Sequence, residues 1–234
     1  NFAQSKLYVF CDGPKNDLDK IKIDRVKEVV ENIKLPKGTE IVFRSDNFGL
    51  KKSVLSGVDD VVKYHKSVIV IEDDIMVGKH YLSYTNKALQ KYQSNRHVGS
   101  ITGYWYSQQN PKQHKMANSF FLPYTSSWSW ATWCDRWKNF RKFDFSLDSI
   151  RKKHFELFKF DLFGSKKFSN MLFKQLKGAS DISSWGILWR WYLLRQKKLT
   201  LYPEKSLVIN SGFDGTGTHH KKIKKKDKKI DNNY

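Results

Sequence analysis

The chain of 234 residues carries 43 Lys and Arg against 23 Asp and Glu, a formal net charge of +20, and 15% of its residues are aromatic. That length suits one principal core, the aromatics supply bulk for it, and the charge points to anionic partners: nucleotide diphosphates, nucleic acid or an acidic membrane surface. No run of about 18 apolar residues and no charged-then-apolar leader occurs, which argues against a membrane span or a secretory signal and for a cytoplasmic chain.

Cys11 and Cys134 are too few for a disulfide framework and lack zinc-site spacing, so both are expected to be reduced and buried. In chain order, Lys6 to Cys11 reads as a strand closing on the turn Asp12-Gly13-Pro14. A helix follows over about Asp19 to Ile33, with Ile23, Val26, Val30 and Ile33 at helical spacing, stopped by Pro36 and Gly38. Glu40 to Arg44 is a second strand. Leu50, Val54, Leu55, Val58, Val61 and Val62 mark a second helix, which returns the chain to Ser67-Val-Ile-Val-Ile-Glu-Asp-Asp74. This βαβαβ order predicts an α/β domain with a mostly parallel sheet flanked by helices.

Tyr81 to Tyr92 reads as a helix, Val98 to Gly103 as a strand, and Tyr104 to Pro123 as a polar loop. From Ser126 to Trp137 tryptophans are dense, and Trp130, Trp133 and Trp137 recur at three- and four-residue spacing. A helix facing a core is the expected reading, with a sugar-stacking role open for Trp128. Ser149 to Gly178 is basic and helical, Trp185 to Leu194 a further helix, and Leu199 to Pro203 a strand. Ser206 to Asn210 leads into a glycine-rich loop, Gly212 to His219, able to close over phosphates or supply a metal ligand. Residues 1–220 are read as one domain, with a nucleotide-binding half over 1–103 and an acceptor half over 104–220. Residues 221–234 are read as a flexible basic tail able to touch an anionic membrane. His65, His80, His97, His114 and His154 stand singly among polar residues and carry no assigned role.

The chemistry concentrates at Glu72, Asp73 and Asp74. A continuous β-branched run ending in carboxylates is the pattern of a buried strand, and ligands of open α/β sheets gather at the carboxyl ends of strands. Three adjacent carboxylates repel one another unless a cation intervenes, and hard oxygen donors suit Mg²⁺ or Mn²⁺. A solvated acidic turn is the plain alternative.

Taken in order, Val9-Phe-Cys-Asp-Gly13, Gly49 to Gly57, Val68 to Asp74, Ile101-Thr-Gly-Tyr104, the tryptophan segment, Ser184-Trp-Gly-Ile-Leu-Trp189 and Gly212 to His219 form a series. In that series the chain resembles GT-A nucleotide-sugar glycosyltransferases, in the branch similar to N-acetylglucosaminyltransferase I and bacterial surface-polysaccharide enzymes. The resemblance implies a GT-A, Rossmann-like fold, here lacking the family's usual first strand, with a UDP-sugar as donor and a glycan or lipid-linked acceptor. It implies Asp74 as the main metal ligand and Glu72 and Asp73 at the ribose or the metal's water shell. Asp12 would read the base, with Gly13, Gly49 and Ser53 lining the nucleotide site, and His219 would be a further ligand of Mn²⁺ or Mg²⁺. Tyr104, Trp128 and Trp185 would form the acceptor side.

The inverting animal enzymes place an aspartate general base next to the tryptophan that aligns with Trp185, where this chain has Gly186 and Ile187. Asp181 is the first substitute and Asp214 the second. The competing expectations are a basic nucleic-acid-binding or phosphoryl-transfer protein, for which the +20 charge speaks, and an inactive glycosyltransferase-like subunit.

Overall fold

The computed structural model describes residues 5–105, 119–179 and 184–212. The first strand, β1 (Tyr8–Cys11), pairs in parallel with β2 (Glu40–Phe43) through the crossover helix α1 (Asp17–Asn32). Asn16 caps α1, its Oδ1 accepting from Asp19 N at 2.9 Å, and Asp17 and Asp19 in the first turn complement the helix dipole. Helix α2 (Gly49–Val61) then leads into β3 (Ser67–Val70) and, past the acidic turn, into the short strand β4 (Ile75–Val77).

After α3 (Tyr81–Lys91) come β5 (Val98–Thr102), β6 (Ser119–Leu122) and β7 (Trp130–Trp133). Helices α4 (Cys134–Arg141), α5 (Leu147–Arg151), α6 (His154–Phe160), α7 (Phe168–Leu176) and α8 (Trp185–Arg195) follow, and β8 (Leu199–Pro203) and β9 (Val208–Asn210) close the described chain. The main sheet has the order β3-β7-β5-β8-β6, and β4 pairs with β9.

The chain is therefore α/β, but its main sheet is mixed. Only β5 and β8 run parallel in it, while β3/β7, β7/β5 and β8/β6 are antiparallel. The expected parallel order reaches β1 and β2 alone because β7 enters next to β3 from far along the chain.

Alternation along the strands divides the core between two faces. Val68 and Trp130 join Val58, Val61, Trp137, Trp189 and other residues of α2, α4 and α8 on one face, while Ala131 and Trp133 join Ala88 and Leu89 of α3 on the other. The tryptophan segment is thus a strand before it is a helix. Trp130 and Trp133 lie on opposite sides of the sheet, and Trp133 donates its indole N–H to Leu89 O at 3.0 Å.

Four further expectations change. Helix α1 buries none of its residues, and Val26 and Ile33 are half exposed. The cysteines are free thiols but only half-buried, and the predicted loop before Pro123 contains β6. The basic helical stretch divides into α5, α6 and α7. The tail at 221–234 lies outside the described residues, and among the described residues no helix is long and apolar enough to cross a membrane.

Candidate functional site

Two loops at strand ends hold the predicted carboxylates. At the first, Asp12 follows β1 and turns its carboxylate onto the start of α2. Phe48 N donates to Oδ1 at 2.9 Å, Gly49 N donates to Oδ2 at 2.8 Å, and Asn47 Nδ2 donates to Oδ2 at 3.2 Å. The Arg44 guanidinium stands 3.7 Å from Oδ1. A helix N-terminus presents unsatisfied amides and positive dipole, so Asp12 caps α2 from a distance in sequence.

Gly49 opens that helix at φ +67, a left-handed conformation that glycine adopts freely. Gly13 packs so tightly on Asp46 that an added Cβ would sit 2.4 Å from its carbonyl carbon. Ser53 accepts from Arg44, which also reaches Ser53 O at 3.2 Å and Ser56 Oγ at 3.0 Å. Phe48 lies between cations, with Lys52 Nζ 3.8 Å and the Arg44 guanidinium 4.5 Å from its ring centre. The corner is a basic and aromatic ledge.

The second loop is the acidic turn after β3. Ile75 N donates to Glu72 O at 3.1 Å, which tightens the turn, and the β4/β9 pair brings Asn210 opposite Ile75. Ser211 then donates twice to Asp74 O, from N at 2.7 Å and from Oγ at 2.9 Å. Asn210 Nδ2 donates to Asp74 Oδ2 at 3.0 Å, while Asn210 Oδ1 accepts from Gly212 N at 2.8 Å. A Cβ on Gly212 would meet Asp74 Oδ2 at 2.9 Å, so close approach demands glycine there.

Asp74 Oδ1 is buried without a hydrogen-bond partner among the described residues. Such an atom in a protein interior calls for an explanation, and a cation is the simplest one for a carboxylate. Beside it, Glu72 is pushed up to about 7 by burial first and by the Asp74 charge second, against a hydrogen bond from the Trp185 side chain. Asp73 is exposed.

Aromatic side chains wall the acidic turn. Tyr104 and Trp128 meet with ring centres 4.4 Å apart, and both pack on the cluster of Ile75, Tyr81, Leu207 and Val208 beneath β4 and β9. Both are half-buried. Trp185 differs from its predicted role. It is only 2% exposed and lies 4.7 Å from Trp130, so its rings face protein, and its effect on the site is to favour the ionised form of Glu72 against burial.

Asp181, Asp214 and His219 lie outside the described residues. Among the described residues no three His, Cys, Asp or Glu side chains converge into a cluster able to hold a metal ion. Donor chemistry nevertheless fits a hard divalent cation: a buried, unpartnered carboxylate oxygen on Asp74, with Glu72 held close enough to feel its charge. Sequence reasoning missed Asn210 and Arg44. An asparagine ending a short apolar run before a glycine loop was the available signal for the first, and no pattern marked the second. No protein-family model matches this sequence, and no curated protein is significantly similar to it.

Proposed function

We propose that the chain is a metal-dependent glycosyltransferase, taking a nucleotide diphosphate sugar, in the first instance a UDP-sugar, and passing the sugar to a hydroxyl of a glycan or lipid-linked acceptor in surface polysaccharide synthesis. The observation that carries this reading is Asp74. Its backbone is pinned twice by Ser211, one carboxylate oxygen is held by Asn210, and the other is buried beside Glu72 with no partner among the described residues.

In this reading Asp74 and Glu72 hold Mn²⁺ or Mg²⁺, which when bound neutralises the charge of the departing diphosphate. Asn210 keeps the Asp74 carboxylate aimed. Trp185 favours the ionised form of Glu72 from within the core. The ledge of Arg44, Phe48 and Lys52 supplies positive charge and an aromatic face for the nucleotide, and Tyr104 with Trp128 supplies a stacking surface for a sugar ring.

The test is thermal protection by UDP with and without Mn²⁺. Metal-dependent protection that disappears in Asp74→Ala is expected, and equal protection of both proteins would remove Asp74 from the site. The +20 charge supports a second reading, a nucleic-acid-binding protein. That reading requires salt-sensitive binding of random oligonucleotides that Asp74→Ala leaves intact.

A further inference from the structure

Helix α6 has phenylalanines at 155, 158 and 160, but a helix of seven residues offers one core-facing stripe. Phe160 and Leu157 occupy it, Phe160 being 1% exposed. Phe155 and Phe158 are left outside, at 63% and 49% exposure.

The turn after α6 adds a third ring. Leu162, Phe163 and Gly164 are successively left-handed, with φ of 52, 57 and 87, and Phe163 N donates to Phe158 O at 2.9 Å. Left-handed non-glycine residues are disfavoured, so a turn that keeps two of them is held by its surroundings. Its result is that Phe163 stands 59% exposed, its ring edge-on to Phe158 at 5.7 Å.

Charge around these rings is sorted. The segment 151–167 contains two acids, and both are partnered within the protein: Glu156 pairs with Arg195, and Asp161 accepts from Ser169 N at 2.7 Å and Ser169 Oγ at 2.5 Å. Lys152, Lys166 and Lys167 are exposed, and Lys159 Nζ lies 4.2 Å over the Phe155 ring. A solvent-facing aromatic trio, with Lys159 on one ring and three exposed lysines in the same segment, complements a surface that is apolar beneath and anionic at its rim.

We propose that the α6–α7 turn docks on the surface of an anionic phospholipid bilayer, with Phe155, Phe158 and Phe163 entering the headgroup boundary and the surrounding lysines meeting lipid phosphates. This surface is separate from the acidic turn, and it stands whether or not that turn binds a nucleotide sugar.

The test uses the full chain with vesicles of phosphatidylcholine alone or with about 30% phosphatidylglycerol. Salt-sensitive binding to the anionic vesicles alone is expected, with hydrogen exchange slowed over 154–167. Replacing all three rings (Phe155→Ser, Phe158→Ser, Phe163→Ser) should weaken it by about tenfold or more. A Lys166→Glu, Lys167→Glu variant should weaken it by about fivefold or more. Near-ultraviolet circular dichroism of the buried tryptophans shows that each variant keeps its fold.

Vesicle binding that persists unchanged in the folded ring variant, with no protection over 154–167, would overturn the proposal and assign attachment to the basic tail. A concentration-dependent dimer formed without vesicles and lost in the ring variant would also overturn it, making the face a contact between copies of the chain. Mn²⁺-dependent UDP protection measured on the same variants reads the donor site separately.

Discussion

Asp12 and Asp74 both sit just past the end of a strand, yet the protein treats their carboxylates in opposite ways. Asp12 has two backbone amides and one side-chain amide on it, with a guanidinium close by. Among the described residues Asp74 has a single amide on Oδ2 and leaves Oδ1 buried and unpartnered. A carboxylate whose acceptor sites are filled by its own chain holds the chain together, and one held by half keeps the other half for something else. The Asp12 carboxylate is therefore read as structure and the Asp74 carboxylate as chemistry.

The largest expected effect tests that division directly. Asp74→Ala should weaken Mn²⁺-dependent UDP binding by at least about 100-fold while leaving stability in denaturant unchanged or improved, because it removes a buried charge without a full set of partners. Retained binding would reverse the comparison.

Next in size is a pH effect at Glu72. Burial and the neighbouring Asp74 charge raise it to about 7 from 4.5, so between those values the folded chain holds a proton that the unfolded chain has released. Stability without metal should thus fall as pH rises through that window, by up to about 3 kcal/mol, and level off above it. Glu72→Gln should flatten the slope in urea titrations. An unchanged slope would show that Glu72 is already ionised and not crowded by Asp74.

Asp12→Ala comes third. It strips the start of α2 of its acceptor and should cost about 2 kcal/mol of stability. A loss of UDP binding with no loss of stability would move Asp12 from the structural side to the functional one.

Much of this contrast was visible in the residues before the fold was known, and the rest was hidden for identifiable reasons. The β-branched run into Glu72, Asp73 and Asp74 predicts a strand with carboxylates at its end, and β3 ends at Val70 just before them. The strand Leu199–Pro203 and the helix beginning at Tyr81 also fall where hydrophobic pattern and turn residues put them. What distinguishes Asp74 from Asp12 is Asn210, which lies 136 residues away in the chain, and no local pattern reports a contact at that separation.

Trp130, Trp133 and Trp137 show a different limit. Their spacing satisfies a helix, but a four-residue strand followed directly by a helix satisfies it equally, and short apolar runs are ambiguous by periodicity alone. The decision belongs to tertiary pairing: β7 adds antiparallel to β3 and to β5, which gives Trp130 and Trp133 a core each. The same insertion makes the sheet mixed.

The smallest expected effect sharpens the structural side of the comparison at Gly49. Its amide is one of the two backbone donors to Asp12, and its φ of +67 aims that amide at the carboxylate. An added Cβ would find only Asn47 Oδ1, at 4.0 Å, so Gly49→Ala meets no steric obstacle and its cost is the left-handed backbone alone, about 1 kcal/mol. Gly49→Asn should recover part of it, since asparagine tolerates that conformation better than alanine. If alanine cost nothing, the corner would relax without its left-handed turn, and Asp12 would no longer be tied to the start of α2. A cost well above that of the backbone term would instead mean that the whole Asp12 network yields when one donor moves, which would make this corner the more rigid of the two.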